Sequence, residues 1–247
     1  LTNVCLHLPV SRKASTSCSL PPSATALTLI GIDLDPRWLS QNTQLRRLEL
    51  VADVSAAGQG AGSLGAALAS LCQLTSLKII NSRGLDGLPQ ALQQMHALQR
   101  LRLDVVTPAP MLLPAGRWLA GLCRLAVETA TLLASMPALQ AAAGLQRLDV
   151  LHSNTAPSTA EVAEFQWQAL CRWVESCPQL SRLDLVIEPG AAPLPMVFPR
   201  GLLDVQRRRP GLAVYSGTGD RDKRFCLKLF GNPDVDHDFK SAVAALA

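Results

Sequence analysis

A six-residue phrase, L-x-x-L-x-L, recurs along this chain and limits its fold more than any other feature. LRRLEL at 45, LTSLKI at 74, LQRLRL at 98, LCRLAV at 122, LQRLDV at 145 and LSRLDL at 180 align on their first leucine at intervals of 29, 24, 24, 23 and 35 residues. Weaker copies at 1 (LTNVCL), 24 (ATALTL) and 209 (RPGLAV) bring the candidate units to nine. Periods of this size mean stacked repeats. Alternate side chains of a strand face opposite ways, so the fourth and sixth residues point inward together while the third, fifth and seventh point outward. One such strand buries too little to persist alone. Stacked about 4.8 Å apart, neighbours share an apolar seam and satisfy one another's backbone groups, and a return path over the outside makes the sheet parallel.

The phrase resembles the strand segment of the leucine-rich repeat family, over roughly residues 1–216. The resemblance implies an α/β solenoid, a horseshoe with a curved parallel sheet on its concave face and short helices and loops on its convex face. Residues 217–247 are left as a C-terminal cap or tail, in which FCLKLF (225–230) is expected to supply an edge strand and the last ten residues a helix. The family likeness also implies a non-catalytic protein–protein interaction module, a substrate-recognition or adaptor subunit. A ligase arm would need docking helices such as an F-box, and none is visible. Leu1 already begins a repeat, so the chain is expected to be part of a longer polypeptide.

Apolar-Pro pairs stand 14 or 15 residues after four of the first leucines: Leu88-Pro89, Leu113-Pro114, Met136-Pro137 and Leu194-Pro195. Each suits the start of a short helix or turn. The family's ninth-position Asn or Cys is replaced by Asp53, Ser82, Val106, Ala130, Ser153 and Glu188, so irregular loops are expected there. In the 35-residue unit, Ser158 to Glu161 reads as a capping box. Val162, Phe165, Ala169, Leu170, Trp173 and Cys177 follow at helical spacing up to Pro178, with Trp167 off that stripe.

Composition bounds the function class. The chain is 48% hydrophobic and 4% aromatic, an aliphatic-cored protein, and no run of 18 apolar residues suggests a membrane span. Seven cysteines without a C-x-x-C favour a reducing, intracellular, cytoplasmic setting. A net charge of +4 lacks the dense basic tracts of a dedicated nucleic-acid binder. GAGSLG at Gly60–Gly65 is a literal G-x-G-x-x-G, the basis for an alternative reading as a nucleotide-dependent enzyme. It starts six residues beyond Val54, however, and follows a strand that carries Arg47 and Glu49, so Gly58, Gly60, Gly62 and Gly65 read as a flexible insertion. Asp234, Asp236 and Asp238 resemble the opening of a calcium loop, but Phe239 and Ala245 stand where its Gly and Glu belong. His7, His96, His152 and His237 lack metal-pair spacing. No catalytic residue, metal or cofactor is expected.

The outward positions carry the candidate site. Third places are Arg47, Ser76, Arg100, Arg124, Arg147 and Arg182, and fifth places Glu49, Lys78, Arg102, Ala126, Asp149 and Asp184. Glu49, Asp149 and Asp184 can neutralise their own rungs. Arg100, Arg102 and Arg124 face only Asp104 and Glu128 at seventh places, which predicts a positive patch at the centre of the sheet. Val51, Ile80, Leu151 and Val186, also at seventh places, add apolar area beside the charges, a combination found at protein interfaces. The rival readings are that arginine merely solubilises exposed strands, or that the arginine column binds RNA or phosphate.

Overall fold

The computed structural model describes residues 2–7, 20–30, 33–34, 36–51, 55–56, 64–80, 85, 87–104, 110–152, 160–187, 197–218 and 227–228. Along the chain, β1 (Thr2–His7) and β2 (Ala24–Ile30) lead through the two-residue β3 (Asp33–Leu34) and α1 (Pro36–Ser40) into β4 (Arg47–Val51). The short β5 (Ser55–Ala56) and α2 (Leu64–Ala69) precede β6 (Ser76–Ile80), and α3 (Leu88–Gln94) precedes β7 (Arg100–Asp104). A 3-10 helix over Arg117–Gly121 leads to β8 (Arg124–Glu128), then α4 (Thr129–Leu139), β9 (Arg147–His152), α5 (Ala160–Ser176) and β10 (Arg182–Ile187). The described chain closes with α6 (Val197–Arg208), β11 (Ala213–Thr218) and β12 (Leu227–Lys228). The fold is α/β, with helices between the strands of a parallel sheet from β2 to β11.

Sheet order follows chain order, β1-β2-β4-β6-β7-β8-β9-β10-β11-β12, while β3 and β5 form a separate pair. Neighbours from β1 to β11 run parallel, and β12 closes the far edge antiparallel to β11. The recurring phrase sets the register: Leu48, Leu77, Leu101, Leu125, Leu148 and Leu183 are paired partners in turn, as are Leu50, Ile79, Leu103, Val127, Val150 and Leu185. Both rows are buried, together with the first leucines 45, 74, 98, 122, 145 and 180. The weaker copies obey the same register, with Val4 and Leu6 opposite Leu27 and Leu29, and Val214 opposite Leu183. Each buried leucine contributes about 2 kcal/mol, so the seam is the main source of cohesion between units.

The helices from α1 to the 3-10 helix pack in succession, as do α4, α5 and α6, and their buried residues join the same core as the seam. A turn pattern that L-x-x-L-x-L does not contain connects them to the strands. Three residues before each first leucine, the N–H of Asn42, Leu71, Met95, Leu119, Ala142, Cys177 and Arg209 donates to the carbonyl three residues earlier; their own carbonyls then accept from Leu45, Leu74, Leu98, Leu122, Leu145, Leu180 and Leu212. The last helix carbonyls are thereby satisfied without glycine caps. Arg209 occupies this place where most units have an apolar residue, and its guanidinium donates to the carbonyls of Val174, Pro178 and Leu180 at 2.6, 3.3 and 2.8 Å.

Several expectations are corrected. Leu88-Pro89 opens α3 as anticipated, but Leu113-Pro114 lies in irregular chain ahead of the 3-10 helix, and Pro137 sits in the last turns of α4. The reason is that β8 runs straight into α4 at Thr129, so this helix has already turned before Met136 is reached, and Ala130 belongs to it rather than to a loop. Gly65 is buried inside α2 instead of lying in an insertion. Trp167 is 3% exposed; its ring lies 6.1 Å from that of His152, so the core face of α5 is wider than the stripe drawn for it. Leu194-Pro195, Ser158, Gly58 to Gly62, the aspartates 234–238 and the last ten residues lie outside the described residues, as do the other ninth positions.

Candidate functional site

Because the seam takes every second side chain, the third and fifth residues stand together on the opposite face of the sheet. Register places them in rows: Arg47, Ser76, Arg100, Arg124, Arg147, Arg182 in one, and Glu49, Lys78, Arg102, Ala126, Asp149, Asp184 in the other. The structure therefore brings the sequence-derived site residues onto one continuous face. Ile80 at the seventh place of β6 is half-buried there, as are Val51 and Val186, while Leu151 is buried.

Over β8 to β11 this face is a lattice of ion pairs. Arg124 Nη2 lies 2.7 Å from Asp149 Oδ2, Arg147 Nε 2.8 Å from Asp149 Oδ1, Arg147 Nη2 2.5 Å from Asp184 Oδ2, and Arg182 Nε 2.9 Å from the same Asp184 oxygen. The Arg182 guanidinium continues the chain of contacts, 4.4 Å over the ring of Tyr215. The short aspartates sit low against the sheet, 5% and 6% exposed, under arginines that stay half-exposed. Burial alone pushes the Asp149 carboxyl up, but hydrogen bonds involving Asp184, Arg147 and Arg124 bring it below the ordinary aspartate value. Asp184 is held above that value by burial and by the neighbouring Asp149 carboxylate, its own arginines notwithstanding.

The charge balance of the other half corrects the expected central patch. Arg124 does not face Glu128 alone; it reaches sideways to Asp149 on the next strand, because one strand spacing of about 4.8 Å is shorter than an arginine side chain. Arg102 Nη2 lies 3.4 Å from Asp104, while its buried Nε has no hydrogen-bond partner among the described residues. Lys78 pairs with Glu49. Asp104 and Glu128 are buried at the seventh row. What stays exposed is Arg47 and Arg100, joined by Arg46, a residue outside the sequence-derived set. Its second-place position gave a signal of its own, since second places line the edge at which the chain enters each strand.

Away from this face, Thr129 Oγ1 at the start of α4 donates to the Leu151 carbonyl at 3.2 Å and lies 3.2 Å from His152 Nδ1, a clasp between β8 and β9. Cys171 and Cys177 are buried thiols pushed up to about 11 by burial, a poor state for a nucleophile. Among the described residues no three His, Cys, Asp or Glu side chains gather as a metal site, and no helix is long and apolar enough to cross a membrane. No protein-family model matches the chain, and neither a curated protein nor a solved structure matches it.

Proposed function

We propose that this chain is a leucine-rich-repeat solenoid whose polar sheet face recognises a protein partner without chemistry, as a recognition or adaptor subunit. The observation that carries this reading is the open face itself: a register-aligned array of charges across consecutive strands, with the arginines of β8 to β10 fixed by ion pairs before any partner arrives. Side chains already held in place lose less freedom on binding, so such a surface favours specific docking. A merely solubilising set of arginines would not need aspartates buried beneath it.

The test compares two charge reversals in affinity capture with the intact chain as bait. Lys78→Glu with Arg100→Glu alters the sheet face, and Arg172→Glu with Arg207→Glu alters exposed positions of α5 and α6. The sheet-face pair is expected to lose at least tenfold of the captured partner while the helix-side pair retains it. Retention by the sheet-face pair and loss by the helix-side pair would assign recognition to the helix layer.

A further inference from the structure

We infer that the entry edge of β4 to β7 is an anion-binding strip that takes a run of Asp and Glu side chains from a protein partner; this rests on the proposal that the polar sheet face is the recognition surface. The first observation is the imbalance between the two halves of one row. Arg124, Arg147 and Arg182 each hold an internal aspartate. Arg47 and Arg100 stand in the same row and are exposed, with no ion pair or hydrogen bond to a described side chain, and so is Arg46 beside them. The acid nearest in sequence to Arg47, Glu49, is engaged by Lys78.

The second observation is what separates these arginines. Ser76 is the register partner of both Arg47 and Arg100, and Thr75 and Gln99 hold the second places just before Ser76 and Arg100, so among the described residues no acid interrupts the strip. Arg47 and Arg100 are two strand spacings apart, roughly 10 Å, about the length of three residues of extended peptide. Arg102, on the strand of Arg100, adds a buried Nε without a hydrogen-bond partner among the described residues.

The third observation is the lattice next door, which shows what this row binds when an acid is within reach: carboxylate oxygens at 2.5 to 2.9 Å from guanidinium nitrogens. A partner's carboxylates would complete on β4 to β7 the pairing that Asp149 and Asp184 complete on β8 to β10. A nucleic acid fits less well. Single strands are held by aromatic stacking as well as charge, and Tyr215, the aromatic ring on the described polar face, already lies under Arg182.

The test uses the intact chain and a fluorescein-labelled decaglutamate peptide, followed by anisotropy at low salt, with decalysine and a ten-nucleotide oligouridine as controls. Decaglutamate should bind saturably, and Arg47→Glu with Arg100→Glu should weaken it at least tenfold, whereas the equal charge change Arg172→Glu with Arg207→Glu should not. Arg47→Gln with Arg100→Gln, which removes charge without reversing it, should weaken binding in the same direction and serves if the reversed pair fails to fold. Equal loss in the sheet-edge and helix-side pairs, tighter oligouridine binding lost in the sheet-edge pair, or no saturable binding would each overturn the inference. If decaglutamate fails while a partner still cross-links from the sheet face, the acidic ligand falls and sheet-face recognition stands.

Discussion

Asp149 and Asp184 show how much a single residue's behaviour depends on its row. Both are fifth-place aspartates that accept from two guanidinium groups, yet hydrogen bonds outweigh burial at Asp149, whereas burial and the neighbouring Asp149 carboxylate prevail at Asp184. Folding lowers the Asp149 value, so its contribution to stability is present above the unfolded value and is lost as pH falls through the folded one. Asp184 has the opposite sign: its raised folded value contributes stability below the unfolded value, and that contribution is lost as pH rises through the folded one. A carboxyl-carbon NMR titration should therefore show Asp184 taking its proton first, above the ordinary aspartate range, and Asp149 last, below it. Reversed order would contradict this assignment of the two carboxyls. The charges themselves were legible from strand alternation, which places Arg47 through Asp184 on one face. The pairings were not, because alternation says nothing about whether Arg124 bonds along its own strand or across to Asp149.

At the scale of elements, strands were more legible than helices. A strand's period of two is written directly in Leu48 and Leu50, and cross-strand pairing repeats it. The helices lack such a constraint: Pro89 starts one and Pro137 lies inside another, since the length of each return path decides where a helix can begin. The turn pattern from Asn42 to Arg209 is not written in the sequence because its residues share a backbone bond rather than a residue type. Helix packing yields its own prediction. A Cβ on Gly201 of α6 would meet Cys171 Sγ of α5 at 2.8 Å, too close for carbon and sulfur. Gly201→Ala should lower stability by about 1–3 kcal/mol, as overpacking does, and Cys171→Ala should restore much of it in chemical denaturation of the double variant. Additive losses in that cycle would show that the two side chains do not meet.

For the whole molecule, one division of labour explains the recurring phrase. Leucines at the first, fourth and sixth places bind each unit to the next, and this requirement repeats wherever a unit repeats. The outward places are free of it. Over β8 to β11 they are spent on an internal ion-pair lattice, and over β4 to β7 they leave arginines exposed. The α/β class with a parallel sheet was readable because the seam needs aliphatic residues at the same places within each phrase. The partner was not, since an exposed arginine satisfies the fold whether or not anything binds it.

The claim that the polar sheet face is the recognition surface is tested most directly by site-specific photo-cross-linking. Benzoylphenylalanine would replace Ser76, between Arg47 and Arg100 on the sheet, or Gln93, exposed on α3 of the helix layer. The account predicts a partner adduct from position 76 and none from position 93. An adduct from position 93 with none from position 76 would contradict it.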